Sequence, residues 1–176
     1  DIRESSLVEH RERFGLVLQD VAVLSRTLGE NIRFDRDIQR SKILEALEQV
    51  NGQDIIARQS QGLDEPMMER GRTLSSGERQ LVSFARALAG NPEILVLDEA
   101  TSHVDTETET RIQAAIDKMV EGRTSVIVAH RLSTVRKADR ILVLHHGQLR
   151  ESGTHDELVS QDGIYAKLVK LQFQSR

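Results

Sequence analysis

Cysteine is absent from the 176 residues, which excludes a disulfide framework and any thiolate metal site and fits a reducing compartment. No apolar run approaches the roughly 20 residues that a helix needs to cross a bilayer, and the opening residues lack the pattern of a secretory leader. Excess positive charge is missing as well. The formal net charge is −4, so no broad positive field draws nucleic-acid phosphates, and no nucleic-acid partner is expected. No Gly-Lys dipeptide occurs, which excludes a phosphate-binding loop of the form G-x-x-x-x-G-K-[ST] from this stretch. There is no internal repeat and no low-complexity tract. Asp1-Ile2-Arg3-Glu4 reads as the middle of a domain, so a longer protein is expected around these residues.

What is present is ordered material. Hydrophobic residues make up 38% and fall in short blocks, enough for the core of one domain or a large part of one. Residues 13–18 read as a strand ending at Gln19-Asp20, followed by a polar stretch over 25–37. Apolar positions Ile43, Leu44, Leu47 and Val50 recur at helical spacing over 38–50, and Asn51-Gly52 supplies a stop. Residues 59–74 carry Gly62, Pro66 and Gly71 and read as mainly loop. The next helix covers 77–89, with Leu81, Phe84, Ala85 and Leu88 on one face. The continuous apolar run 93–97, closed by Asp98-Glu99, suits a strand buried on both faces of a parallel sheet. A helix over 106–120 turns Ile112, Ala115, Ile116 and Met119 inward. Residues 124–129 read as a second buried strand ending at His130, and 140–144 as a third. His146-Gly147 makes an exposed turn into a short edge strand over 148–151. Thr154 caps a helix, with Glu157 completing a capping box, and 165–173 forms a terminal helix. The alternation implies an α/β fold with a mainly parallel sheet.

In such sheets ligands sit beyond the carboxyl ends of the strands, where Gln19, Asp98-Glu99 and His130 fall. Adjacent carboxylates at a strand end point opposite ways. One can bind Mg²⁺, usually through water, and the other can polarise a water for attack on phosphorus; equally, a strand can simply end in solvated acids. Leu74-Ser75-Ser76-Gly77-Glu78-Arg79-Gln80 opens a helix whose N–H groups and hydroxyls suit a terminal phosphate, although Ser before a helix is also an ordinary cap. A lone His130 reads as a buried or capping histidine. His10, His103, His145, His146 and His155 form no metal-ligand pattern.

Order and spacing change that weighing. The sequence resembles the ATP-binding domain of ABC transporters over essentially its whole length. Leu74 to Gln80 is similar to the family's signature motif, and Ile94 to Glu99 to its Walker B strand with the following Glu. Thr101-Ser102-His103-Val104-Asp105 resembles the D-loop, Val128 to Ser133 the switch segment, and Val17-Leu18-Gln19-Asp20 the Q-loop. Gly29-Glu30-Asn31-Ile32 and Glu69-Arg70-Gly71 resemble segments of multidrug or lipid exporters that face the membrane domain.

The resemblance implies a P-loop NTPase-like (RecA-like) α/β fold with an inserted helical subdomain over about 25–90, core sheet over 91–153, C-terminal helices over 154–176, and the N-terminal part of the fold missing. It implies ATP and Mg²⁺ as cofactors. Gln19 and Asp98 would serve the metal, Glu99 would be the general base, and His130 would contact the γ-phosphate. Leu74, Ser75, Ser76, Gly77 and Glu78 would meet ATP held by a second ATP-binding domain in a head-to-tail dimer, with Asp105 communicating between sites. The other implied partner is a transmembrane domain fused upstream, which would set this domain at the cytoplasmic face of the inner membrane.

Departures are the missing P-loop, Ser76 for the signature's first Gly, Glu78 for its Gln, His103-Val104 for Ala-Leu in the D-loop, and Pro66-Met67-Met68 before Glu69. These smaller changes suggest one half of a heterodimeric exporter. The stretch by itself is expected to be inactive and to expose apolar surface. Two other readings are a soluble ATPase of this type acting on DNA or ribosomes, and a non-catalytic interaction fragment.

Overall fold

The computed structural model describes residues 2–4, 6–19, 21–67, 73–98, 105–129 and 132–174, except for the side chains of 172–174. It forms two compact units, Asp1–Val128 and Ala129–Arg176.

The first unit is built on three parallel strands in the order β1-β2-β3: β1 (Phe14–Val17), β2 (Ile94–Asp98) and β3 (Thr124–Val128). Val17 lies opposite Leu97, and Asp98 opposite Val128. Helix α1 (Leu7–Glu12) precedes β1. The crossover from β1 to β2 carries α2 (Leu28–Arg33), α3 (Arg40–Gln49), α4 (Gln53–Ala57), a 3-10 turn at Gly62–Asp64 and α5 (Ser76–Leu88). The crossover from β2 to β3 is α6 (Thr106–Val120).

One sheet face is dry. Val17, Leu95 and Leu97 join Leu81, Phe84, Ala85 and Leu88 of α5 and Ile112, Ala115, Ile116 and Met119 of α6 in one core. Gly15 permits the close approach of β1 to the end of α5. A β-carbon there would stand 2.8 Å from Pro92 Cγ and 3.1 Å from the Ala87 carbonyl oxygen, inside van der Waals contact.

Several expectations need correction. β2 and β3 are not buried on both faces: in β2 only Leu95 and Leu97 are fully buried, and in β3 Val126 and Val128 are more than half exposed. Every apolar residue of such a run need not be covered when helices pack on only one side. Residues 140–144 do not supply a third buried strand. Ile141 to Leu144 lie in β4 (Ile141–His145), which pairs antiparallel with β5 (Gln148–Gly153) as a two-stranded hairpin, leaving Leu142 and Leu144 exposed. In α3, Ile43, Ala46 and Leu47 are buried, as is the capping Val50, but Leu44 is not, because it sits about 100° around the helix from Ile43. The polar stretch 25–37 contains α2, whose Thr27 cap and Glu30 form a capping box.

The second unit contains α7 (Leu132–Val135), the hairpin, α8 (His155–Ser160) and α9 (Ile164–Gln174). His146 and Gly147 turn with positive φ, 51° and 73°, as a two-residue hairpin loop requires. Ile141, Val143, Leu158, Tyr165 and Val169 form its core. The Glu151 carboxylate accepts the N–H groups of Ile164 at 2.6 Å and Tyr165 at 3.0 Å, closing the start of α9.

The second face of the parallel sheet carries Leu16, Leu18, Val126 and Val128, each more than half exposed. A contiguous apolar strip of this kind is an association surface. The 176-residue chain produced alone is expected to bind a hydrophobic dye and elute larger than a monomer, and Leu16→Lys with Val126→Lys should suppress both without lowering the melting temperature. Dye-silent, monomeric wild-type chain would show that this strip is covered.

Candidate functional site

Parallel pairing brings the strand ends to one edge. Asp98 ends the central strand, half-buried, and Gln19 follows β1 by two residues and is exposed. Neighbouring strands run about 4.8 Å apart, so Gln19 and Asp98 share one sheet edge. Glu99, Thr101 to Val104 and His130 lie outside the described residues.

The chain leaving Gln19 is held from two directions. Asn31 is fully buried. Its Oδ1 accepts from Leu24 N at 2.7 Å, and its Nδ2 donates to the carbonyls of Leu24 at 2.9 Å and Thr27 at 3.1 Å. Arg86, near the end of α5, donates from Nε to Asn31 O at 2.7 Å and from Nη2 to Ala22 O at 2.8 Å. Its guanidinium also lies over the Phe34 ring, 4.7 Å from the centroid. Burial lowers the Arg86 pKa, but arginine stays charged throughout the physiological range, so the clamp is permanent. Sequence reasoning saw Asn31 only as part of a motif and missed Arg86; an arginine at the end of an otherwise apolar helix face was the available signal.

The signature segment folds as a capping box. Ser75 is the N-cap of α5; its hydroxyl accepts from Glu78 N at 3.2 Å, and the Glu78 carboxylate accepts from Ser75 N at 2.8 Å. The other Glu78 oxygen pairs with Arg58, so this carboxylate is committed within the chain. Arg79 holds the preceding turn through Leu74 O at 2.8 Å, and the Leu74 side chain is buried. Ser75 and Ser76 are exposed, whereas Gly77 is buried. The box uses the Ser75 and Glu78 N–H groups; the N–H groups of Ser76 and Gly77 belong to the first turn, which lacks intrahelical acceptors, and with the exposed hydroxyls they suit an anion.

Asp105 is exposed and caps α6: Oδ1 accepts from Thr108 N at 2.9 Å and Oδ2 from Thr108 Oγ1 at 2.7 Å. These bonds, the backbone one first, hold its carboxyl below the usual aspartate range. Among the described residues no group of three or more His, Asp or Glu side chains is gathered for a metal ion, and no helix is long and apolar enough to cross a membrane.

A parallel sheet whose central strand ends in a carboxylate, crossed by helices on one face, is an α/β domain whose ligand edge lies at the carboxyl ends of its strands. Residues 1–102 match the family model described as ABC transporter, and the chain belongs to that family. It is 49% identical over 172 residues to a probable multidrug resistance ABC transporter ATP-binding/permease protein, YheH, of Bacillus subtilis, covering 97% of this chain and 26% of that protein. It is 43% identical to an ATP-dependent lipid A-core flippase of Methylobacillus flagellatus, covering 98% of this chain and 30% of the flippase. Among solved structures it matches a bacterial Atm1-family ABC exporter with ATP bound, with a TM-score of 0.84 and 41% identity over 98% of this chain and 30% of that one. The expected P-loop NTPase-like fold is therefore the fold of this chain. It spans between a quarter and a third of the length of these relatives.

Caps set the acid response. Glu30 is lowered by its bonds to Thr27, and Asp105 by those to Thr108. A folded pKa below the unfolded one stabilises the fold above the unfolded value, near 3.9 for Asp and 4.3 for Glu, and that stability is lost as pH falls through the folded value. Denaturant midpoints should stay level above about pH 5 and fall below about pH 4, and Asp105→Asn, which still caps, should shrink the drop. An unchanged midpoint down to about pH 3 would contradict this linkage.

Proposed function

We propose that this chain is part of the ATP-binding and ATP-hydrolysing component of an exporter, coupling ATP turnover to movement of a substrate across a membrane. The observation that carries the reading is the β1-β2-β3 order with Asp98 ending the central strand and Gln19 just beyond its parallel neighbour. Membership of the ABC transporter family and the exporter-like relatives support it.

The residues present fit both expected cofactors. A half-buried carboxylate at a sheet edge beside an exposed amide suits Mg²⁺, which keeps several waters and takes one or two carboxylates. The exposed Ser75 and Ser76 hydroxyls at the start of α5 suit a terminal phosphate. When bound, Mg²⁺ neutralises charge developing on phosphate oxygens. In this reading Asp98 supports the metal, and Gln19 senses metal and γ-phosphate and passes the state to the chain that Asn31 and Arg86 hold. Glu99 takes the proton of the attacking water, and His130 contacts the γ-phosphate; both roles rest on motif order alone. Leu74 to Glu78 are the segment that meets ATP on a second such domain, head to tail: Ser75 and Ser76 bring the exposed hydroxyls, while the buried Leu74 and the paired Glu78 hold the turn, with Asp105 at the same boundary. Residues 25–90 are the helical subdomain, 91–153 carry the central strands β2 and β3 of the core sheet together with the β4-β5 hairpin, and 154–176 are the C-terminal helices. A transmembrane domain is the mechanical partner, which sets this domain at the cytoplasmic face of the inner membrane.

The full-length protein in membranes should hydrolyse ATP only with Mg²⁺. Glu99→Gln should lower kcat by about 10²-fold or more, with ATP binding kept. The 176 residues alone, having no Gly-Lys loop, should stay at background turnover. Full activity in Glu99→Gln would overturn the base assignment.

A further inference from the structure

Gly77 is buried beside the exposed Ser75 and Ser76, and Thr108 lies directly against it. A β-carbon on Gly77 would overlap the Thr108 Cγ2 methyl, whereas the Thr108 Cβ would stand at 3.6 Å and Ile112 Cδ1 at 3.8 Å, both ordinary contacts. Thr108 cannot swing aside freely. Its Oγ1 is bonded to Asp105 Oδ2 at 2.7 Å and its N–H to Oδ1 at 2.9 Å, and a β-branched side chain on a helix has few rotamers. Turning the methyl away would carry the hydroxyl off the carboxylate.

We propose that Thr108 is a positioning residue that ties the signature turn to the D-loop carboxylate within one chain, its methyl seated on Gly77 and its hydroxyl holding Asp105. The proposal rests on the reading above, in which Ser75 to Gly77 and Asp105 face nucleotide. It gives Gly77 a duty besides close approach of a phosphate: a side chain there displaces Thr108 and so releases Asp105. A shift of the signature turn is then felt at Asp105 by direct contact, with no rearrangement of the core.

The tie and the function can be tested separately in the full-length protein. Hydrogen exchange at the Thr108 amide, which Asp105 accepts, reads the tie without ATP. Gly77→Ala should deprotect that amide, and Gly77→Ala with Thr108→Ser should restore it, because serine keeps the hydroxyl and vacates the methyl's space. ATP turnover then reads the consequence. Thr108→Val keeps the shape and loses the hydroxyl; it should lower kcat about tenfold with KM for ATP nearly unchanged. Thr108→Ser keeps Asp105 held but gives up the seat on Gly77, so it should also lower kcat, by less than Thr108→Val, and the melting temperatures of both should match wild type. Unchanged protection in Gly77→Ala, no restoration in the double variant, or wild-type kcat in Thr108→Val would each overturn the tie. A full-length protein with no ATP turnover at all would overturn the proposed function instead, and the exchange experiment would still decide the tie.

Discussion

Strand β2 is hydrogen-bonded to a parallel neighbour on each side, and that pairing leaves little freedom to the residues at its carboxyl end. Parallel neighbours need long crossovers. Here they are the helical stretch from α2 to α5 on one side and α6 on the other. Both return to cover the same sheet face, the one carrying Val17, Leu95 and Leu97. A one-residue slip of β2 would turn Leu95 and Leu97 out of the core. Burial of those two residues therefore fixes the height at which Asp98 stands relative to Gln19.

A second constraint is local and recurs. Ser6 with Glu9, Thr27 with Glu30, Ser75 with Glu78, and Thr154 with Glu157 all close capping boxes. Each satisfies two orphan N–H groups with one hydroxyl and one carboxylate, at about 1 kcal/mol per N-cap. At α2 the box sets where the exporter-like segment turns back, so that Asn31 points inward. At α5 it consumes the Glu78 carboxylate and leaves Ser76 exposed. Glutamate in place of glutamine at 78 has a physical reason here, because only the carboxylate also pairs with Arg58.

These boxes are part of what sequence reasoning caught and missed. The four inward positions of α6 were readable because a long amphipathic helix repeats its signal over several turns. The Thr154–Glu157 box was readable, and Ser6–Glu9 and Thr27–Glu30 carry the same pattern before helices of the same six-residue length, so helix length does not separate the box that was read from the two that were missed. Buried strands were over-read for a separate reason. A run such as Thr124 to Val128 has the composition of a strand covered on both sides, but covering depends on which helices arrive, and that is a tertiary fact. The convergence of Gln19 with Asp98 was legible from strand topology. The seating of Thr108 on Gly77 was not, since residues 31 apart announce no contact.

Around the signature helix, charge and packing do different work. Glu78 pairs with Arg58, Arg58 reaches Asp54 at 3.5 Å, and Asp54 pairs with Arg111 of α6. Lys118, two turns further along α6, donates to Asn51 Oδ1 at 2.9 Å. Most of these side chains are substantially exposed, and exposed pairs contribute about 0–1 kcal/mol each and weaken with salt. The chain of charges therefore orients α4 and α6 about the start of α5 more than it stabilises them. Stiffness comes from contacts that salt does not screen: the buried Leu74, the Ser75 cap, and Thr108 against Gly77. The signature turn is thus held by packing on one side and by partly exposed charges on the other. That division suits a surface whose partner, in the proposed dimer, engages and leaves with each turnover.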